Sequence, residues 1–424
     1  MTGLSLGIDI GTSGIRTAVL DESGALLSTA RAPHEPQDTK HIDAMAWWRA
    51  VESCIASQGI ALQKIGHSLG DVAHIGVDGT SGTMVLTDAN VKPVTRALMY
   101  NSTGFDGEAK RIAQHAPEVH ITQGSNSALA RALRLQSQDT GKRASHLLHQ
   151  ADFVIAKLRG TGGVSDHNNT LKLGFDPETG TWPDWFAQTG FDLSLLPKVE
   201  PAGAPIGPIA PDMAKQLGFS PAAIVHTGTT DSIAAFLAAA PLVSGAAVTS
   251  LGTTLAIKLL SETRIDDPSV GLYAHKLGRF WLVGGASNSG GGVLAQLFTP
   301  QDLAKLSAQI DPTQPSPLNY YPLTKPGERF PVNDPNHAPV LTPRPDSDVA
   351  FLHGLLESIA RIEAQCYEAI QNRGGSAPSQ LFTAGGGAQN QTWTQIRARV
   401  LGIEPKEADQ SEAAIGIARL ILDL

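Results

Sequence analysis

The sequence predicts an α/β protein built from two similar domains that face a cleft. Its 424 residues are enough for two or three domains that each bury a core. Short apolar runs alternate along the chain with stretches of helical periodicity, which is the pattern of a mixed α/β fold. In addition, residues 8–14 and 249–255 repeat one strand-turn-strand pattern about one domain apart.

The composition narrows the class of protein further. Hydrophobic residues make up 42% and charged residues 17%, which is typical of a globular chain and not of a disordered one. A net charge of -8 gives no general attraction for nucleic acid or acidic membranes. The two cysteines, Cys54 and Cys366, lie far apart in helix-like patterns, so we expect no disulfide framework and a reducing cytosol.

The first residues, 1–4, lead into a strand-like segment without a basic region, and no apolar run approaches ~18 residues. We therefore expect a cytoplasmic protein that is neither exported nor membrane-spanning. A plastid location would require a transit peptide ahead of this sequence.

The first half of the chain contains most of the helical patterns. We predict a strand-turn-strand unit over 4–20, a turn at 21–24, a helix over 43–57, a buried strand at 75–78, and helices over 125–135 and 144–158. Trp47 falls on the apolar stripe of the 43–57 helix and is expected in the core. Four prolines between 201 and 211 favour a crossing between substructures. The boundary is placed shortly after them, which gives domains of 1–228 and 229–424.

The second half restarts the same pattern. Strands are predicted at 223–227, 246–251 and 276–284, followed by an irregular stretch over 311–345 that is rich in Pro, Asn and Asp. A long helix is predicted over 351–371, then a strand, a glycine turn and a helix, and a final apolar helix over 413–422.

The first chemical motif is the turn Gly11-Thr12-Ser13-Gly14. Backbone amides of a glycine turn can bind phosphate oxygens, and the hydroxyls of Thr12 and Ser13 add donors, although a simple hairpin is the alternative. Asp9 precedes this turn between isoleucines, where a carboxylate is costly unless it meets a metal or hydrogen-bond donors. We predict a magnesium role for Asp9, with turn capping as the alternative.

Two further turns are candidates for phosphate or nucleotide binding. Gly252-Thr253-Thr254 corresponds to the first turn in the internal repeat, so the two turns could clamp one triphosphate. The triple glycine at 385–387 follows a strand and would let a flat ligand lie against the backbone. A flexible strand-to-helix loop is the alternative for this third segment.

Asp231 is the candidate for proton transfer. An apolar strand ending in Thr227-Gly228-Thr229-Thr230 delivers it to the start of an apolar helix, where a helix N-cap is the simpler interpretation. Phosphoryl transfer to an alcohol requires one carboxylate that orients the hydroxyl and accepts its proton. Beside phosphate-binding turns, Asp231 suits that task.

Several motifs in order resemble the FGGY family of carbohydrate kinases, and within it pentulose kinases such as xylulokinase and the D-ribulose kinases of cyanobacteria and plants. They are G-I-D-I-G-T-S-G at 7–14, D-H-N-N-T at 166–170, S-L-G-T-T at 250–254, G-E-R-F-P at 327–331 and G-G-G-A-Q-N at 385–390. The resemblance spans nearly the whole chain and implies two ribonuclease H-like domains, the fold shared with actin, hexokinase and the Hsp70 ATPase domain.

The resemblance also implies roles for particular residues. Asp231 would be the catalytic base, and Asp9 would lie near magnesium and the substrate. The residues implied around the nucleotide phosphates are Gly11, Thr12, Ser13, Gly252, Thr253 and Thr254, and those implied around adenosine are Gly386, Gly387 and Asn390. The cofactors would be ATP and Mg²⁺.

The sugar pocket departs from the xylulokinase pattern. Where xylulokinases have a Met-His pair, this chain has Asp78-Gly79-Thr80-Ser81-Gly82. The hydroxyls of Thr80 and Ser81 suit a polyol, with turn capping as the alternative for Ser81. His167 lacks enough neighbouring ligands for a metal site, so we expect it in a surface loop.

We therefore expect an ATP-dependent kinase for the primary hydroxyl of a ketopentose, with D-ribulose preferred over D-xylulose. Its partners would be small molecules, without nucleic acid or membrane, and it would be a monomer or homodimer. A nucleotide-dependent switch protein and an uncoupled ATPase of the same fold are the alternatives.

Overall fold

The computed structural model describes residues 3–35 and 42–422, and these form two compact units. The described residues up to Ala238, together with those from Gln410 onward, make the first unit, and 239–409 make the second. The boundary predicted after residue 228 thus falls inside the first unit. No helix in the described ranges is long and apolar enough to cross a membrane. Residues 1 and 2, which entered the prediction about the N-terminus, lie outside the description.

Strands and helices alternate through both units. The elements up to the unit boundary are β1 (Leu4–Ile10), β2 (Gly14–Leu20), β3 (Leu26–Pro33), α1 (Ala44–Gln63), β4 (Val72–Gly79), β5 (Met84–Thr87), α2 (Asp106–Ala113), α3 (Ala128–Gln138), β6 (His146–His149), α4 (Gln150–Arg159), β7 (Val164–Asp166), α5 (His167–Leu171), β8 (Lys198–Glu200), β9 (Pro205–Pro208), α6 (Pro211–Leu217), β10 (Ile224–His226), β11 (Thr229–Thr230) and α7 (Asp231–Ala239). Those that follow are β12 (Ala246–Leu251), β13 (Leu255–Ser261), β14 (Tyr273–Leu277), β15 (Phe280–Ser287), α8 (Gly291–Leu297), α9 (Pro300–Ser307), α10 (Asp348–Gln371), β16 (Gln380–Ala384), α11 (Gln391–Leu401), β17 (Pro405–Glu407) and α12 (Ala413–Leu420).

Each unit contains one large sheet, and the two sheets share a topology. In the first, the strand order is β3-β2-β1-β4-β10-β9, with β11 also paired to β4. The first three strands are antiparallel, whereas β4 is parallel to β1, and β10 and β11 are parallel to β4. In the second, β12, β13 and β15 are antiparallel and β12, β16 and β17 run parallel. The repeated strand-turn-strand pattern therefore marks β1–β2 and β12–β13.

The last helix, α12, packs on the first sheet because glycines leave room for it. A Cβ on Gly7 in β1 would lie 1.9 Å from the carbonyl oxygen of Ala414. A Cβ on Gly416 in α12 would lie 1.7 Å from the carbonyl oxygen of Ala234 in α7. Any side chain at these two glycines would push α12 away. Close backbone-to-backbone packing at Gly7 and Gly416 therefore allows α12 to pack in the first unit.

Three predicted elements differ from those observed. The segment 144–158 begins as strand β6, paired with β5, and becomes helical only at Gln150. The proline-rich segment 201–211 is no linker: Pro205–Pro208 forms the edge strand β9 and Pro211 begins α6, both positions where a missing N–H is tolerated. The strand predicted at 276–284 is a hairpin, because Gly278 with φ 56° turns the chain between β14 and β15.

Other predictions are confirmed. Helix α1 begins where the 43–57 pattern starts, and the side chain of Asp43 caps it by accepting a hydrogen bond from the N–H of Met45 at 3.0 Å. Helix α10 covers the predicted 351–371, and 311–345 contains no helix or strand. Trp47 is buried in the core of the first unit.

Candidate active site

Two cavities, one in each unit, collect most of the residues that the sequence singles out. The cavity of the first unit has a volume of about 740 Å³ and includes the Gly11-Thr12 turn in its wall. The cavity of the second unit has a volume of about 750 Å³ and lies between the turn at 252–253 and the loop at 386–390. Each volume lies in the range of small-molecule sites.

Three aspartates meet at one edge of the first sheet. In the parallel pair β1–β4, Asp9 lies opposite Asp78, and in the pair β11–β4, Thr229 lies opposite Asp78. Asp231 follows β11 directly as the first residue of α7. Because the carboxyl ends of neighbouring parallel strands share one edge, the carboxyl groups of Asp9, Asp78 and Asp231 form one acidic cluster.

Burial shifts the pKa values of two members of the acidic cluster. Asp78 is 0% exposed, and neither of its carboxyl oxygens accepts a hydrogen bond from the described part of the chain. Burial, reinforced by the charges of Asp9 and Asp231, raises the pKa of Asp78 well above its ordinary value. Burial likewise raises the pKa of Asp9, while the neighbouring Asp78 and Arg16 lower it in part.

Arg16 supplies the positive charge nearest to Asp9. It stands directly across from Asp9 in the β1–β2 hairpin, and its Nη1 lies 3.2 Å from Asp9 Oδ2. Its Nε lies 3.3 Å from an oxygen of Glu412, just before α12. Sequence reasoning missed Arg16, although an arginine opposite the aspartate of a predicted hairpin was a usable signal.

Asp231 is half-buried at the start of α7. Its Oδ1 accepts a hydrogen bond from the backbone N–H of Ser232 at 2.6 Å. The N-terminus of a helix stabilises a carboxylate through its unpaired N–H groups and its dipole. From Ile233 onward α7 is apolar and mostly buried, so it holds this carboxylate on a rigid element.

The Gly11–Gly14 turn forms as predicted. The N–H of Gly11 donates to the carbonyl of Gly14 at 3.0 Å, and the side chains of Thr12 and Ser13 are exposed. Gly11 and Thr12 line the first cavity, whereas Ser13 is not in its wall. A Cβ on Gly14 would lie 2.5 Å from the carbonyl oxygen of Ala32, so Gly14 serves the packing of the strands.

Thr80 and Ser81 have different environments although they are neighbours. The Thr80 hydroxyl donates to Gln150 Oε1 at 2.6 Å and is hydrogen-bonded to the hydroxyl of Thr83 at 2.7 Å. These bonds place Thr80 in the framework of its loop. The Ser81 hydroxyl is buried and has no hydrogen-bond partner among the described residues. Of the two hydroxyls predicted for the sugar, that of Thr80 is bonded within the protein and that of Ser81 has no partner in the described ranges.

A buried arginine fixes the Ser81 turn. Arg131 in α3 is 2% exposed, and its guanidinium donates to the carbonyls of Gly82 at 2.6 Å, Tyr100 at 2.8 Å and Asn126 at 3.1 Å. Burial lowers the pKa of Arg131 to about 10. Sequence reasoning missed this residue because helical periodicity does not reveal carbonyls that arrive from three other segments.

The second cavity brings together two of the predicted nucleotide loops. The predicted residues in its wall are Gly252, Thr253, Gly386, Gly387 and Asn390. Thr254 is not part of this wall, and its carbonyl accepts the N–H of Gly252 at 3.2 Å.

The triple glycine serves two purposes. A Cβ on Gly387 would lie 2.6 Å from the Cβ of Leu251, so Gly387 is required for close packing. A Cβ on Gly386 would meet nothing within 4 Å. Gly386 therefore presents open backbone at the cavity.

Asn390, predicted to contact adenosine, has structural partners for its side chain. Its Oδ1 caps α11 by accepting the N–H of Trp393 at 3.0 Å, and its Nδ2 donates to the Ser307 hydroxyl at 2.9 Å. Sequence reasoning missed Gly291 and Gly292 at the start of α8, which also line the cavity. The glycine run at 290–292 was the available signal, since it precedes a helix as the run at 385–387 does.

The surface-loop interpretation of His167 is wrong. His167 is 9% exposed and begins α5, which Asp166 caps by accepting the N–H groups of Asn168 at 2.8 Å and Asn169 at 2.9 Å. Asn168 Nδ2 donates to the Thr229 hydroxyl at 3.2 Å. This buried segment therefore supports the strand that leads to Asp231.

The acidic cluster does not by itself supply a complete set of metal ligands. Across 3–35 and 42–422, no group of three or more His, Cys, Asp or Glu residues is arranged to hold a metal ion. Magnesium, however, is commonly held by one or two carboxylates together with water and substrate phosphates. The carboxylate oxygens of Asp9 and Asp231 are of the ligand type that this second mode uses.

Two family models together match nearly the whole described chain. Residues 4–238 match the N-terminal domain, and residues 247–421 the C-terminal domain, of the FGGY family of carbohydrate kinases. The chain is 24% identical to the xylulose kinase of Escherichia coli strain K12, over 98% of this chain and 89% of that relative.

Solved structures share the fold. A xylulose kinase from Rhodospirillum rubrum is similar with a TM-score of 0.84 and 21% identity, covering 98% of this chain and 89% of that chain. Plasmodium falciparum glycerol kinase with ADP is similar with a TM-score of 0.82 and 16% identity, covering 99% and 89%. The predicted pair of α/β domains of the actin and hexokinase type is thereby confirmed.

Proposed function

The chain belongs to the FGGY family of carbohydrate kinases, and on that premise we propose that it transfers the γ-phosphate of ATP to a primary hydroxyl of a ketopentose. The proposed acceptor is D-ribulose, which would give D-ribulose 5-phosphate, and D-xylulose is the alternative. The name of the E. coli relative supports a ketopentose. A glycerol kinase also shares this fold, so the fold does not identify the sugar. The choice of acceptor must therefore rest on the residues near the site.

The position of Asp231 carries this proposal. Its carboxylate begins a rigid helix at the edge of the sheet, beside Asp9, and Asp9 leads directly into the wall of the first cavity. In the proposed reaction, Asp231 orients the hydroxyl of the sugar and accepts its proton as the phosphorus is attacked. Because burial raises the pKa of Asp78, this carboxyl group would repel an incoming phosphate less than a third ionised carboxylate would.

The choice of sugar follows from the turn after β4. By the resemblance, the turn Thr80-Ser81-Gly82 would occupy the place of the Met-His pair of xylulokinases. The Thr80 hydroxyl is already bonded within the protein. The unpartnered Ser81 hydroxyl is the small polar group that remains for the acceptor. The turn that carries this hydroxyl departs from the xylulokinase pattern, and on this ground D-ribulose is preferred.

The second cavity is the proposed nucleotide site. Gly252 and Thr253 would face phosphate groups, and the open backbone of Gly386 would lie against the flat base. Magnesium bound with the nucleotide would neutralise phosphate charge. In the first unit, Asp9 is the proposed carboxylate ligand of magnesium, with its orientation fixed by Arg16.

The test is a comparison of wild-type protein with the D231N variant. Asparagine retains an oxygen that can accept the Ser232 N–H, so the start of α7 should be preserved. We expect kcat for sugar phosphorylation to fall by about 10²- to 10⁴-fold, while ATP affinity changes little. Ketopentoses, aldopentoses, hexuloses and glycerol are offered with ATP and magnesium, and products are identified by mass.

The matched control is D212N, an exposed aspartate in the first turn of α6, which should retain full activity. Full phosphorylation by D231N would reject its role as the base. Phosphorylation of another polyol in preference to D-ribulose would replace the proposed substrate. Phosphate release without any sugar phosphate would indicate an uncoupled ATPase.

A further inference from the structure

Gln150 is a buried glutamine in the wall of the first cavity, and no motif pointed to it. It begins α4, is 1% exposed, and lines the cavity together with Gly11 and Thr12. It lies in the same hydrogen-bonded network as Thr80, next to the unpartnered Ser81.

The hydrogen bonds of Gln150 fix which end of its amide faces the loop. The backbone N–H of Thr80 lies 3.0 Å from Oε1 of Gln150, and the Thr80 hydroxyl lies 2.6 Å from the same atom. A backbone N–H can only donate, so the atom that faces it must be the carbonyl oxygen of the amide. The amide nitrogen of Gln150 consequently points away from the Thr80 loop.

That nitrogen is a buried donor without an acceptor. Nε2 of Gln150 has no hydrogen-bond partner in the parts of the chain that the structure describes. An unsatisfied buried donor is costly, and buried polar groups in native proteins nearly always have a partner in the protein, in water or in a ligand. Here the residue that carries the orphan donor also forms part of a cavity of about 740 Å³.

We propose that Nε2 of Gln150 donates a hydrogen bond to one hydroxyl of the bound sugar and is a specificity-determining residue of this kinase. The inference rests on the proposed function. It adds a hydrogen-bond donor to the sugar site, whereas the Asp231 carboxylate is an acceptor. Because Oε1 of Gln150 is hydrogen-bonded to Thr80, its Nε2 already has a fixed position before the sugar binds. Binding therefore does not have to immobilise the Gln150 side chain. Ser81, whose hydroxyl has no partner among the described residues, follows Thr80 directly in the chain.

The experiment separates this role from a purely structural one. The Q150E variant keeps an oxygen for the Thr80 N–H but, when ionised, offers no hydrogen to a sugar. The Q150M side chain is similar in length to glutamine and has no hydrogen-bonding group. If one of the two variants folds poorly, the other can still be measured. Sugar and ATP kinetics are measured for wild-type protein and both variants, together with a series of monodeoxy analogues of the accepted sugar.

We expect the sugar KM to rise by about 10- to 100-fold in Q150E at pH 8.5, with kcat and the ATP KM within about threefold of wild type. One monodeoxy analogue should bind wild-type protein about tenfold or more weakly than the full sugar, and the variants should not discriminate against it. A network that only supports the loop would show no such selectivity toward one missing hydroxyl.

Q58E is the matched control. Gln58 is also fully buried, in α1, but both ends of its amide have protein partners, Thr17 and Ser28. Q58E should lower stability without changing the sugar KM or the response to the analogues.

The outcomes distinguish the two proposals. If wild-type protein phosphorylates a ketopentose and both Gln150 variants match its sugar KM and its analogue profile, the inference about Gln150 is overturned and the function stands. If wild-type protein prefers another polyol, the ketopentose is rejected and the Gln150 comparison is decided with that polyol. If a variant loses affinity equally for every analogue, Gln150 is structural and the inference fails.

Discussion

The buried carboxyl of Asp166 should make the stability of the protein fall as the pH rises toward neutrality. Asp166 is 0% exposed, and burial, then the charge of Asp152, raise its pKa from 3.8 to about 7. The folded protein therefore holds a proton that the unfolded chain releases above pH 4. This contribution to the free energy of unfolding is fully present below pH 4 and is lost as the pH rises through about 7.

The size of the effect follows from the shift. Each unit of pKa shift corresponds to about 1.4 kcal/mol, so the full loss is about 4 kcal/mol and the part between pH 5 and pH 8 is about 2.5 kcal/mol. The D166N variant removes this titration and keeps an oxygen for the N–H groups of Asn168 and Asn169 that cap α5. Wild-type stability relative to D166N should therefore decline between pH 5 and pH 7 and level off above it.

Urea unfolding followed by tryptophan fluorescence at several pH values from 5 to 8 measures this difference. The matched control is D192N, an exposed aspartate whose pKa is lowered by its hydrogen bonds with Ser194. Its titration lies below pH 4, so the difference between wild type and D192N should stay constant across the same range. A constant difference for D166N as well would refute the reasoning and show that Asp166 is ionised in the folded protein at pH 5.

Two further predictions concern the second unit. G387A should lower stability by about 1–3 kcal/mol because its Cβ would overlap Leu251, whereas G386A should keep wild-type stability but weaken nucleotide binding. Thermal melting measures the stability of both variants, and calorimetric titration with ATP measures their nucleotide binding. Equal stabilities of G387A and G386A would contradict the packing argument. Glu363 and Arg397 form a fully buried pair joined by two hydrogen bonds of 2.6 and 2.7 Å, so E363Q should cost about 3–5 kcal/mol in urea unfolding at pH 7. A loss below about 1 kcal/mol would show that the charge of Arg397 is satisfied without Glu363.

The parts of the site that sequence could predict are those whose signal is local. Asp9 and Asp231 stand out because each carboxylate interrupts an apolar segment next to a turn. The glycine turns are likewise visible as short strings of residues.

The rest depends on contacts that local patterns do not contain. Gln150 was hidden inside a segment predicted as one helix, because the apolar residues of β6 and α4 together fit one helical spacing. Arg131 matters through carbonyls at Gly82 and Tyr100, which lie 49 and 31 positions away. The prolines near 205 suggested a linker because nothing local shows that β9 pairs with β10 at the edge of a sheet.

The return of α12 to the first sheet bears on the order in which the protein can be made. All residues of the second unit have been synthesised once translation passes residue 409, but Gly7 and Ala234 then still lack the helix that covers them. On the ribosome the unit that begins the chain is thus the last to be completed. Until then the apolar residues that pack against α12, among them Ala18, Leu20 and Ala238, lack that cover.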